Sequence, residues 1–271
     1  MNVYVNERAI ETDADSLFAL RDRLKPDADI VIRNGFPADT DVPLSDGDRV
    51  VLIRRGEIPA AEELEALLVA RHTPGVHEKV RDAVIGIAGA GGLGSAVAVA
   101  LARIGVGSLV IADFDIVEPS NLNRQQYFVD QLGQPKVAAL ADNLKRINPY
   151  VRVVAKQVRL EPENIPVVFG DADILVEAFD RADQKAMLLE SFRLAFPQRP
   201  VVAASGLAGY GPANTVVTRR RGTNVYLVGD ETSAAQPGQG LMAPRVGVAA
   251  HHQANAVLRL LLGEDPEGDS G

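Results

Sequence analysis

The chain has 271 residues, of which 46% are hydrophobic and 24% charged, with a formal net charge of −8 and no cysteine. That length suits one large α/β domain or a small domain beside a mid-sized one, and the apolar fraction supports a buried core. The acidic balance argues against a nucleic-acid groove, and the missing cysteines remove disulfides, thiolate zinc sites and a cysteine nucleophile.

Residues 1–57 predict a small β-grasp unit. NVYVN alternates like a strand, a polar loop follows, and SLFALRDRL has helical spacing. DIVIRNGF and DRVVLIRR are two further β-rich runs, the second set off by a turn at Asp46-Gly47. A unit of this size lies near the lower limit for independent folding. Residues 58–82 read as a helical linker, whose helix starts after Pro59 and stops before Pro74. Pro59 pushes Ile58 towards an extended conformation, so the chain is expected to leave the first unit as a strap.

Residues 83–271 alternate between strand and helix patterns. AVIGIAG is a strand and GSAVAVALARIG a helix of small residues. SLVIADFD, VRVVAKQV, ADILVEAFD and PVVAASG are strands, interleaved with the helices KVAALADNLKRINP and ADQKAMLLESFRLAF. This alternation predicts an α/β fold with a Rossmann-like, mainly parallel, doubly wound sheet. ANTVVTRR and TNVYLVGD form a C-terminal antiparallel extension, and PRVGVAAHHQANAVLRLLLG closes the chain as a mostly apolar helix. No run reaches the ~18 apolar residues of a membrane span. The opening residues lack the basic start and apolar core of a signal peptide, so no membrane association and a cytoplasmic location are expected.

Gly89, Gly91 and Gly94 match G-x-G-x-x-G between a strand and a helix. The first glycine permits the tight turn, the second lets backbone N–H groups approach phosphate, and the third allows close helix–strand packing. Asp113 ends the second strand 19 residues after Gly94, where an acid binds a ribose in such folds. This pattern does not separate NAD from ATP.

The run Ser120-Asn121-Leu122-Asn123-Arg124-Gln125, followed by Pro135-Lys136, bears on that choice. Cleaving a triphosphate requires cations at fixed positions. Arg124 offers a planar fork for phosphate oxygens and Lys136, at a helix start, a point charge. Asp180, after the fourth strand, is placed to hold Mg²⁺ at the sheet's carboxyl edge. Each has a plain alternative: a surface salt-bridge partner for Arg124, a solvated helix position for Lys136, a helix N-cap for Asp180. Taken with the glycine loop and Asp113, they favour ATP. An NAD-dependent dehydrogenase would leave the polar run unexplained, and the sequence offers no convincing proton relay for one. A nucleotide-binding regulator without turnover is the rival of another class.

GIAGAGGLGS, DFDIVEPSNLNRQ, GQPKV, RINP and AFDRAD together resemble the ThiF/MoeB/HesA family of ubiquitin-activating-enzyme-like adenylyltransferases, over residues 72 to 262, and GLMAPRVGVAAHHQAN resembles its ThiF-type branch. The resemblance implies adenylylation of the C-terminal glycine of a small ubiquitin-like sulfur carrier by MgATP, in thiamine-type sulfur transfer. It implies that Gly89, Gly91, Gly92 and Gly94 line the ATP and that Asp113 binds the ribose. Asp115, Asn121, Asn123, Arg124, Gln125 and Lys136 complete the nucleotide site, and Asp180 takes the metal-linked catalytic position. It further implies a homodimer in which an arginine before the glycine loop, here Arg71, reaches the partner's ATP. Many relatives carry two C-x-x-C pairs; this chain has none, so no structural zinc is expected, and an acyl-adenylate cannot pass to a cysteine here.

The first unit resembles ThiS itself, with NVYVNERAIE as opening hairpin and LSDGDRVVLIRRG at the end. A working carrier ends in a free Gly-Gly carboxylate. Here Arg55-Gly56 runs on into Glu57, so the fused unit is expected to dock, dimerise or regulate, and not to serve as substrate.

Overall fold

A computed structural model of the protein describes residues 1–69, 73 and 75–268. The chain divides into two compact units, Met1–Pro74 and Gly75–Gly271.

The first unit is a five-stranded sheet with a helix against it. Strands β1 (Asn2–Val5), β2 (Arg8–Glu11), β3 (Ile30–Arg33), β4 (Phe36–Pro37) and β5 (Arg49–Ile53) lie in the order β2-β1-β5-β3-β4. β1 and β5 are parallel, and the other pairs antiparallel. Two hairpins use two-residue turns with positive φ at both positions, Asn6-Glu7 and Asn34-Gly35, the geometry that matches the twist of paired strands. Helix α1 (Leu17–Leu24) is capped by Ser16 and buries Leu17 and Leu20 against Val3, Val50 and Leu52. Each such side chain contributes roughly 1.5–3 kcal/mol on burial.

Between β5 and Ala61 the chain is not helical, as the strap reading expects, but it is tied back to its own unit. After β5 it turns at Gly56, whose φ of 78° suits glycine, and Glu57 N–H donates back to the Arg54 carbonyl at 3.2 Å. Glu57 then pairs with Lys25 at 2.6 Å. Helix α2 (Ala61–Val69) follows within the same unit, and its Glu63 accepts a hydrogen bond from Asn6 in the first hairpin. Glu57 and Glu63 both lie within ion-pairing reach of Lys25, at 2.6 and 4.0 Å, which holds the segment against its own unit.

The second unit opens with a short helix that the sequence patterns did not resolve, α3 (Val76–Val80). It continues as β6 (Val84–Ala88), α4 (Gly92–Arg103), β7 (Ser108–Asp113), α5 (Lys136–Ile147), β8 (Arg152–Gln157), α6 (Ile165–Val168), β9 (Ile174–Glu177), α7 (Ala182–Ala195), β10 (Val201–Ala204), β11 (Val217–Arg220), β12 (Val225–Gly229) and α8 (Ala243–Leu262). The sheet order is β11-β12-β10-β9-β6-β7-β8. All neighbours are parallel except β11 with β12. The antiparallel extension is therefore β11 alone, because β12 runs parallel to β10. One core packs α4, α5 and α8 on one face of the sheet, and another packs α6 and α7 on the other. From β6 the chain moves to β7 on one side and later to β9 on the other. A crevice must open there, at the strands' carboxyl ends. Among the described residues no helix is long and apolar enough to cross a membrane.

Candidate active site

A cleft of about 840 Å³ lies at the carboxyl ends of β6, β7, β9 and β10. Its walls include Gly89, Gly91, Gly92, Asp113, Asp115, Asn121, Arg124, Gln125, Lys136 and Asp180. Gly94 and Asn123 are not in the wall.

The glycines divide by task. At Gly89 (φ 97°) a Cβ would lie 2.9 Å from the Ala178 carbonyl, so the loop must pass close under β9. At Gly94 a Cβ would lie 1.8 Å from the Gly89 carbonyl, which makes this glycine a packing requirement behind the loop. A Cβ on Gly91 would meet nothing nearer than Gln125 Nε2 at 3.9 Å. Gly91 is the N-cap of α4 and gives no side-chain cap, so the first amides of the helix point unpaired into the cleft, where an anion is favoured.

Asp113 is oriented by the backbone. Its Oδ2 accepts from Ala90 N at 2.6 Å and its Oδ1 from Asp115 N at 2.8 Å, which ties the ends of β6 and β7 together. Buried Tyr127 donates to the Ala90 carbonyl at 2.7 Å, and its hydroxyl is held protonated by burial first and by the charges of Asp113 and Asp115 second. Behind it, the polar run folds as a short 3-10 turn. Asn121 is buried, and its Oδ1 accepts from Glu118 N at 3.0 Å. Arg124 Nη1 donates to the Ser120 carbonyl at 3.1 Å and to Asn123 Oδ1 at 2.8 Å. Asn123 donates in turn to the Leu241 carbonyl at 3.2 Å, so it braces the arginine from outside the cleft. Gln125 is 8% exposed, and its Oε1 has no hydrogen-bond partner. A buried polar atom left open at a cleft wall is suited to a ligand donor.

Lys136, the first residue of α5, is buried and not a solvated helix position; its ammonium lies 3.0 Å from Asp115 Oδ2. Asp180 is exposed in the loop after β9, and the N-cap of α7 is the next residue, Arg181. Among the described residues no group of three or more His, Asp or Glu could hold a metal alone. A single free carboxylate still fits Mg²⁺, which is commonly held by one or two carboxylates together with substrate phosphates. Arg71 lies outside the described residues. His251 and His252 bond to different groups, Gly247 O and Thr218 Oγ1, and do not converge.

Two buried ion pairs beside the cleft escaped the sequence reading. Glu177 is fully buried and takes both oxygens to Lys185 Nζ at 2.9 Å. Arg245 reaches Asp230 at 2.5 Å and also donates to the Gly211 and Pro212 carbonyls. Both had a signal: Glu177 and Arg245 are charges inside apolar runs, ILVEAF and APRVGVAA, and a buried charge needs a partner.

Residues 65–270 match the ThiF family, and residues 1–56 match the ThiS-like ubiquitin family. Molybdopterin-synthase adenylyltransferase of Escherichia coli is 32% identical over 192 residues, 69% of this chain and 76% of that protein. Sulfur carrier protein ThiS adenylyltransferase of Bacillus subtilis is 33% identical over 205 residues, 72% of this chain and 59% of that protein. Among solved structures, E. coli tRNA N6-threonylcarbamoyladenosine dehydratase, crystallised in complex with ATP, superposes with a TM-score of 0.66 at 22% identity, covering 76% of this chain and 98% of the other. That likeness is one of fold.

Proposed function

We propose that this chain, which belongs to the ThiF family, is an adenylyltransferase that uses ATP to activate the C-terminal carboxylate of a small ubiquitin-like sulfur carrier, of the thiamine type. The observation that carries the reading is the cleft itself. One wall presents open amides at the start of α4, another Arg124 and Lys136, and a third the free carboxylate of Asp180. The names of the relatives from E. coli and B. subtilis support an adenylyltransferase, and the second supports a ThiS-type carrier.

In the reaction, a carboxylate oxygen attacks the α-phosphorus of ATP, an acyl–phosphate bond forms, and the bond to the bridging oxygen of pyrophosphate breaks. The carboxylate is ionised at neutral pH, so no proton moves and no general base is required. Positioning and charge stabilisation remain as the tasks of the protein. Asp113 accepts from the ribose, the α4 amides and Arg124 hold phosphate oxygens, and Lys136 supplies charge to the leaving pyrophosphate. Asp180 would hold Mg²⁺, which neutralises phosphate charge when bound.

The fused first unit is read as a docking or regulatory element. Its Gly56 carboxyl is consumed in the peptide bond to Glu57. A homodimer, with Arg71 of one protomer at the nucleotide of the other, belongs to the same proposal. Thermal shift tests the nucleotide. MgATP should stabilise the protein with micromolar affinity, about −8 kcal/mol, and NAD should not. A shift with NAD and none with MgATP would remove the reading.

A further inference from the structure

The connection that carries Asp180 runs only from Ala178 to Arg181, between the end of β9 and the start of α7. Its carboxylate is exposed and needs an external frame to be held in place. Glu177, immediately before this connection, has a fully buried carboxylate. Its Oε1 accepts from Phe179 N at 2.6 Å, inside the connection. Both its oxygens accept from Nζ of Lys185, in the first turns of α7, eight residues on. The backbone carbonyl of Glu177 accepts from Gln253 of α8 at 2.9 Å, and Gln253 also donates to the Val202 carbonyl in β10. The middle of the loop around Asp180 and the first turn of the helix after it are thus fastened to one carboxylate, while the backbone at the start of the loop is held by Gln253.

Lys185 lines the cleft, which would suit a direct phosphate contact. Its three donors are already assigned: two to Glu177, and one to the Ala204 carbonyl at 2.8 Å. An ammonium has three N–H groups and no more. Burial pushes the Glu177 carboxyl upward, and the Lys185 charge opposes that push. Buried ion pairs often contribute no more stability than apolar side chains of the same volume, so stability alone gives little reason for this one.

We propose that the Glu177–Lys185 pair is the positioning device for Asp180, and that Lys185 acts through this clamp and makes no direct contact with the nucleotide. The proposal rests on the reading that Asp180 serves the adenylylation step. It is distinct from that reading because it predicts how two losses combine.

The test is a double-mutant cycle in carrier-dependent ATP–pyrophosphate exchange on the full chain, with Asp180→Asn, Lys185→Met and the two combined. Lys185→Met strands a buried carboxylate, so Glu177→Gln/Lys185→Met, which leaves no unpaired charge, is measured alongside. The clamp predicts that both Lys185 variants lose about 10- to 100-fold in kcat while the KM for ATP stays within about threefold. Combined with Asp180→Asn, Lys185→Met should add less than about threefold to the loss, because the two act on one element. Hydrogen exchange of the Phe179 amide in the nucleotide-free variants should accelerate at least about tenfold. Multiplying losses, a raised KM with unchanged kcat, or an unaltered Phe179 amide would each overturn the clamp. Wild-type exchange by Asp180→Asn would instead remove the role given to Asp180 itself.

Discussion

The ammonium of Lys136 lies 3.0 Å from the Asp115 carboxylate, and the two differ sharply in exposure: the lysine side chain is 8% exposed and the aspartate 48%. The cation is thus delivered to the cleft by a partner that stays wet. Lys136→Ala would strand no buried charge, so it should keep the fold, with a melting temperature within a few degrees of wild type. It should weaken ATP about 10- to 100-fold, the size of a lost charge-assisted hydrogen bond. Calorimetric titration with ATP analogues checks this; unchanged affinity would mean that Lys136 faces Asp115 only.

The glycine loop predicts opposite outcomes for neighbouring substitutions. Gly94→Ala places a methyl group where the Gly89 carbonyl already sits, 1.8 Å away, and should destabilise the second unit enough to cut soluble yield. Gly91→Ala meets only Gln125 Nε2 at 3.9 Å, and should fold normally while losing nucleotide affinity, since the methyl group would stand in the path of the phosphates. Thermal melts with and without MgATP separate the two; a stable Gly94→Ala protein would contradict the packing.

Asp230 gives a pH signature. Burial alone would raise its pKa, but N–H groups of Ser233 and Thr232 and the Arg245 guanidinium outweigh burial and hold it well below the ordinary 3.8. A folded pKa below the unfolded one adds stability that is complete above about pH 4 to 5 and lost as pH falls through the folded value. Asp230→Asn should therefore melt roughly 5 °C or more below wild type at pH 7, and the gap should narrow as the pH falls below about 4. Melts from pH 7 to pH 2 check this; a gap independent of pH would contradict it.

The folding pattern was largely legible because local signals agreed. The apolar run ending in Gly89, the helix of small residues after Gly94 and Asp113 on the next strand each follow from backbone and packing needs. What was not legible depended on distant partners. Nothing local tells that Glu177 meets Lys185, or that Arg245 meets Asp230. The direction of β12 was hidden for the same reason: its pattern fits a hairpin with β11, and only the neighbouring β10 makes it parallel to the rest of the sheet. Asn123 sits within a polar run suited to a phosphate site, yet its amide is drawn away by the Leu241 carbonyl. The pairing of Glu57 with Lys25 in the path after Gly56 likewise joins residues far apart in sequence.

That path has its own consequence. Gly56 is followed by a turn that returns Glu57 to Lys25, and its carboxyl is bound in the chain. Incubation of the full chain with MgATP should leave residues 54–58 free of AMP, as read by mass spectrometry of the proteolysed protein. AMP on that segment would show that the fused unit is itself a substrate.

The most direct test of the account is ATP–pyrophosphate exchange by the full chain with separate ubiquitin-like sulfur carriers that end in a free glycine. The account predicts exchange that depends on a carrier, AMP recovered on the carrier's C-terminus, and a loss of at least ~100-fold in Asp180→Ala, about 2.7 kcal/mol of transition-state stabilisation. No exchange with any carrier, from a protein that binds MgATP and is correctly folded, would contradict it.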